Sequence, residues 1–239
     1  MYDLFDNFGR IQKNDPEFHE IFRNFAYGEV FEYSELNEKE SVLVTLASLI
    51  ACQSPKAFKK ILLSAVNEYV TPQEVKELLY QSVPYVGFGR AHNFFGVVIK
   101  VFEKKGIEMP LEKRSNTTPE NRRKKGREIQ DRYFGAEMIQ AMNDNVPEGQ
   151  KHFNTFLEGY CFGDFYTRNG LNDSERELIT FVFITTLGGC ENQFRGHVQG
   201  NLSVGNDKEK LISAITVILP YIGFPRSLNA LAIVNEICK

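Results

Sequence analysis

Apolar positions along this chain mostly recur three and four residues apart, the spacing that turns one face of an α-helix into a core. The opening segment follows it with Phe5, Phe8, Phe18, Phe22 and Phe25. That stripe predicts amphipathic helices whose aromatic rings serve core packing or an oligomer contact. Twice the apolar run becomes continuous, over residues 42–51 (VLVTLASLIA) and 178–187 (LITFVFITTL). On hydrophobicity alone the first run could be a buried strand. Asn37 followed three residues later by Glu40 is a capping box, however, and with the alanines and the length it favours a buried helix.

Start and stop signals organise the rest. A helix is expected over residues 55–68, and Thr71-Pro72-Gln73-Glu74 supplies a cap, a first-turn proline and a glutamate at the third position for the next. Pro84 is expected to kink or end that helix near Val83. Gly87-x-Gly89 resembles the start of a dinucleotide fingerprint, but no strand precedes it. Residues 103–121 (EKKGIEMPLEKRSNTTPEN) are polar, carry Gly106 and Pro110 as breakers, and read as a linker between units at 1–102 and 122–239. The basic run Arg122, Arg123, Lys124 and Lys125 fits a solvated helix face or an anion site.

The second unit repeats the first. Gly28, Leu36, Asn37, Leu43 and Thr45 match Gly163, Leu171, Asn172, Leu178 and Thr180, all at one constant offset. After a single insertion near Gly188-Gly189 the offset grows by one and then holds again: Pro84, Tyr85, Gly87, Phe88, Arg90 and Asn93 match Pro220, Tyr221, Gly223, Phe224, Arg226 and Asn229. Such self-similarity implies a duplicated helical unit that buries its apolar face against its sister as an intramolecular pseudo-dimer.

Composition narrows the partners. The chain has 239 residues, 42% of them hydrophobic, and a formal charge of −3, so it has no electrostatic footprint for nucleic acid or an anionic membrane. The opening MYDLFDNFGR lacks the basic start and apolar run of a signal peptide, and no apolar stretch is long enough to span a bilayer, which predicts a cytoplasmic protein. Four scattered cysteines without a CxxC give neither a disulfide framework nor a zinc site.

The two copies differ where chemistry would sit. In the same registers Glu177 stands opposite Val42, Cys190 opposite Ser54 and His197 opposite Ile61. A purely structural need for Glu and His would arise in both copies, so the asymmetry marks a functional set; the competing reading is a satisfied buried ion pair. Cys190 and His197 are seven apart, two helical turns, which places Gln193, Arg195 and His197 near one pocket wall. Glu177 can accept from the imidazole, fix its tautomer and raise its basicity, making His197 a proton donor or acceptor.

REL at 176–178, FRGHVQGNL at 194–202 and PYIGFPRSLNAL at 220–231, with RRKKGREIQDRYFG and YCFGDFYTRNGLNDSEREL before them, together resemble the carboxymuconolactone decarboxylase family. That family shares its all-α fold with the alkylhydroperoxidase D-like proteins, and the first half resembles a divergent member. The resemblance implies two such helical repeats, with His197 as the active-site histidine, Glu177 as its glutamate, and Arg168 or, more weakly, Arg195 as the holder of a substrate carboxylate. It also implies that three tandem chains assemble as a trimer resembling a hexamer of single units. No cofactor or metal is implied.

Two departures bear on activity. Peroxidase-type members use CxxC followed by a histidine; here Cys190 fills the first cysteine position but Gln193 the second, so a local dithiol cycle is not available. Phe162 and Phe165 stand where the decarboxylases carry tryptophans. The expected function is a cofactor-free lyase for a small carboxylated lactone or related acid, with peroxiredoxin-like chemistry at Cys190 and a non-catalytic helical binding module as alternatives.

Overall fold

The computed structural model describes residues 9–239; Phe5 and Phe8 lie outside them. The first half comprises α1 (Gly9–Asn14), α2 (Pro16–Asn24), a π-helical turn (Phe25–Glu29), α3 (Val30–Glu32), α4 (Glu38–Ala51), α5 (Pro55–Ala65), α6 (Pro72–Val86) and α7 (Phe88–Lys105). The second comprises α8 (Arg122–Phe134), α9 (Ala136–Asp144), a 3₁₀ turn (Glu148–Gln150), α10 (Lys151–Phe156), a π-helical segment (Leu157–Tyr166), α11 (Asp173–Leu187), α12 (Glu191–Ser203), α13 (Lys208–Ile222) and α14 (Phe224–Ile237). The fold is all-α, and the sequence registers carry over to the helices: α4 begins opposite α11, and after the insertion α5, α6 and α7 begin opposite α12, α13 and α14.

Both continuous apolar runs are helices started by capping boxes, Asn37 with Glu40 and Asn172 with Glu175. Hydrophobic on all sides, α4 and α11 pack against each other at the centre. Each also packs against a helix of the other half, α11 on α6 and α4 on α13, so the copies share one apolar core. Polar contacts cross the same boundary: the Tyr27 and Tyr221 hydroxyls lie 3.0 Å apart, and Lys39 reaches Glu175 at 2.6 Å.

Two local expectations change and a third gains detail. Helix α5 ends at Ala65 rather than residue 68, because Val66 is extended and Asn67 takes φ 69°. Pro84 does not end α6; the helix continues to Val86 and stops at Gly87, whose φ of 81° closes it. A proline in the last turn forfeits a single backbone bond, and Pro220 in α13 repeats the arrangement before Gly223. The basic run opens α8 as an exposed face at Arg123 and Lys124, but its arginines are also paired. Arg122 pairs with Asp164 and Arg123 with Glu158, clamping α8 to the π-helical segment. The two backbones approach so closely that a Cβ on Gly126 would lie 1.8 Å from the carbonyl oxygen of Glu158.

Candidate active site

Glu177 lies in the second turn of α11 and is completely buried. From α12, His197 brings its Nδ1 to 2.9 Å from Glu177 Oε2. Asn201 ties the two helices together here, donating Nδ2 to the carbonyls of both Glu177 and His197. With a carboxylate as its partner, Nδ1 carries a proton and Nε2 is left for the other side of the ring. Room for this contact depends on Gly200: a Cβ there would fall 2.6 Å from Glu177 Oε2 and 2.8 Å from the Phe134 ring.

The sequence comparison missed two tyrosines. Tyr166, at the end of the π-helical segment, donates its hydroxyl to Glu177 Oε1 at 2.7 Å and lies 3.0 Å from Thr180 Oγ1. Tyr85, near the end of α6 in the first half, places its hydroxyl 2.6 Å from that of Tyr166 and 3.4 Å from His197 Nε2. The imidazole stands edge-to-face between Tyr85 and Phe134, with ring centroids at 5.4 and 5.5 Å. Burial holds the phenol pKa values of Tyr85 and Tyr166 well above their usual range, and nearby Glu177 pushes the same way. Both are therefore neutral hydrogen-bonding groups at physiological pH.

Behind this set runs a buried polar chain that also crosses the halves. Thr180 accepts from Gln81, Gln81 accepts from Arg176, and Glu77 accepts from Arg176 at 3.1 Å and from Arg168 through both of its oxygens at 2.9 and 3.0 Å. At the duplicated positions Glu77, Gln81, Tyr166, Arg176, Glu177 and His197 correspond to Ser213, Val217, Phe31, Ser41, Val42 and Ile61. One face of the pseudo-dimer is polar throughout, while its counterpart is small or apolar.

His197 and Tyr85 line a cavity of about 800 Å³. Cys190 and Gln193 share that wall, as their spacing predicts, Cys190 being the N-cap of α12 with its thiol on the Gly188 carbonyl. A second thiol, Cys161, also lines the cavity, 3.8 Å from the Tyr85 hydroxyl; burial pushes its pKa up to about 12, so it stays protonated. Two expected substrate holders are elsewhere. Arg168 is committed to buried Glu77 and stacks 4.5 Å from the Tyr80 ring, and Arg195 points to the surface, where it pairs with Glu236 at 2.6 Å. Two turns of helix cover several directions, and Arg195 falls on the outer one. Among the described residues no three His, Cys, Asp or Glu side chains cluster as metal ligands, and no helix is long and apolar enough to cross a membrane.

Fold and site define a duplicated helical protein in which one cavity-facing imidazole is held by a buried carboxylate and a tyrosine pair. The model of the carboxymuconolactone decarboxylase family matches residues 16–100 and 151–236, and the chain belongs to that family. It is 27% identical over 120 residues to the 4-carboxymuconolactone decarboxylase of Acinetobacter baylyi, a match spanning 50% of this chain and 89% of that one. A solved chain assigned as a gamma-carboxymuconolactone decarboxylase subunit, from Burkholderia xenovorans LB400, shares the fold with a TM-score of 0.52 at 16% identity, covering 97% of this chain and 90% of that one.

Proposed function

We propose that the chain is a decarboxylase-like lyase in which His197 supplies a proton to the carbanionic carbon of the enolate left when carbon dioxide departs. The observation that carries this reading is the 2.9 Å contact between His197 Nδ1 and buried Glu177, which leaves Nε2 toward Tyr85 and the cavity. The substrate is a small acid whose carboxylate sits next to a carbonyl or lactone system. Breaking its C–C bond releases carbon dioxide and leaves the electron pair delocalised as an enolate. The imidazolium gives its proton to that carbon, and solvent restores it. Glu177 stabilises the imidazolium and fixes the ring, Tyr166 holds Glu177, and the Tyr85 hydroxyl, whose own proton goes to Tyr166, accepts from imidazolium Nε2 and orients it toward the reacting carbon. The family relationship supports the reaction class in general terms.

The test couples carbon dioxide release to isotope uptake. With 4-carboxymuconolactone and related β-oxo acids in deuterated water, the wild-type chain should release carbon dioxide and place one deuterium on the product carbon. Replacing His197 by Asn should lower kcat by about 10²–10⁴-fold. Unchanged turnover in that variant removes the histidine from the mechanism.

A further inference from the structure

The cavity's composition bears on what kind of acid it admits. Its walls are built mainly from Phe, Met, Leu and Ile side chains, and among the described residues no Lys, Arg, Asp or Glu lines it. Besides His197, the polar groups it presents carry no formal charge: Tyr85, Tyr160, Gln130, Asn192, Gln193 and the thiols of Cys161 and Cys190. The arginines that a family resemblance would recruit are already paired, Arg168 with Glu77 and Arg195 with Glu236. At about 800 Å³ the space lies in the upper part of the roughly 300–1,000 Å³ range that encloses drug-sized ligands, and a single five-membered lactone would leave most of it empty.

A spectator carboxylate and a departing one fare differently here. Any carboxylate entering this cavity gives up its water without gaining a cation. For the group that leaves as carbon dioxide, that loss raises the ground state more than it raises a transition state whose charge is already spreading into the carbonyl system, so the barrier falls. A second carboxylate suffers the same loss in both states and merely weakens binding. Gln130 adds an independent sign of a ligand: it is 1% exposed, lines the cavity, and its Oε1 has no hydrogen-bond partner among the described residues. A buried amide oxygen with no donor beside it repels an anion.

From this we infer that the substrate is a hydrophobic β-oxo monocarboxylic acid, or its lactone equivalent, with a bulky apolar body and no second anionic group. The inference rests on the lyase reading of the same site. The carboxylate departs at the His197–Tyr85 end, the apolar body fills the space between α9, α10 and α12, and the bond changes are those already given.

Binding and turnover separate the two ideas. The neutral fluorophore N-phenyl-1-naphthylamine serves as a probe with the full chain, displaced by 3-oxodecanoate or by the dicarboxylate 4-carboxymuconolactone. The monoacid should displace it at least about tenfold more effectively than the dicarboxylate, and should be decarboxylated faster than in buffer. Gly196 lines the cavity beside His197, and a Cβ there meets nothing within 4 Å. Gly196→Leu should therefore keep the melting temperature while weakening probe and monoacid about tenfold or more. Gln193→Arg, adding a cation to the wall, should shift preference toward the dicarboxylate. Stronger binding of the dicarboxylate by the wild-type chain overturns the inference, as does unchanged probe binding by a folded Gly196→Leu variant. If 4-carboxymuconolactone is the better substrate and its turnover needs His197, the substrate class fails while the lyase reading stands. If the monoacid binds and Gly196→Leu blocks it, yet the wild-type chain releases no carbon dioxide from it above the buffer rate, the lyase reading fails while the ligand class stands.

Discussion

Replacing Glu77 by Gln removes a carboxylate that faces two arginines of the other half. Glu77 and Arg176 are both completely buried, and Arg168 is nearly so. Burial pulls the Arg176 guanidinium below its usual pKa, and the attraction of Glu77 opposes that shift. Without the carboxylate, Arg176 keeps hydrogen bonds to Gln81 Oε1 at 3.0 Å and to the Arg168 carbonyl at 2.7 Å, but its charge loses its counter-ion. Breaking a buried pair in this way costs about 3–5 kcal/mol, a large share of the roughly 5–15 kcal/mol that holds an ordinary domain together. Equilibrium urea unfolding should show stability falling by that amount, as a lower midpoint with an unchanged slope. Removing Arg176 together with the carboxylate, as Glu77→Leu with Arg176→Met, should recover only the part of the loss due to Arg176, because Arg168 still loses its bidentate partner. A cost below about 1 kcal/mol for Glu77→Gln would refute the claim that Arg176 depends on this carboxylate. So would a double variant that merely adds the two single losses, because contacting residues must show a coupling energy.

Three further outcomes are expected. Tyr85→Phe removes the hydroxyl beside His197 Nε2 and keeps the ring against the imidazole; kcat should fall about tenfold or more with a small change in KM, read by steady-state kinetics. Gly200→Ala forces a methyl group onto the Glu177 carboxylate, so it should cost about 1–3 kcal/mol in urea unfolding and reduce activity much more than a surface Gly→Ala such as Gly149→Ala. Stability should also fall with rising pH above about 10: Tyr27 is pushed up to about 12 by burial, and Tyr85, Tyr166 and Tyr221 are also raised. The folded state then keeps protons that the unfolded chain releases, which lowers stability by about 1.4 kcal/mol per pH unit for each such group between its two pKa values. Phenolate absorbance from this buried set should appear only as the chain unfolds.

The helical architecture is legible in the sequence because its signals are local. Asn37 with Glu40, Thr71 with Glu74 and Asn172 with Glu175 cap their helices as their spacing requires, and the self-similarity by itself implies two sister bundles. Comparing the copies also isolates Glu177 and His197, which the fold brings together. The same comparison contains Tyr166, opposite Phe31, a hydroxyl present in one copy alone; Tyr and Phe read alike as aromatic packing, so the difference carries little signal. Tyr85 is hidden differently. Its Pro-Tyr pair occurs in both copies and so looks like scaffold, and it reaches the site only because α6 packs across onto α11. Arg168 looks free to hold a substrate because its partner Glu77 is 91 residues away, a pairing that no local spacing encodes.

The tyrosine that crosses from α6 shows what duplication within one chain permits. In a dimer of identical subunits, a residue reaching into its neighbour's site is answered by the same residue reaching back, and any change alters both sites together. Here Tyr85 meets Tyr166 and His197, while its counterpart Tyr221 meets Tyr27, and an isoleucine, Ile61, holds the position that answers the histidine. Duplication within one chain thus frees the two positions from a shared sequence: one copy opens onto a roomy apolar chamber while the other buries Ile61 in the core, and the first half still supplies Tyr85 as a wall of the second half's cavity.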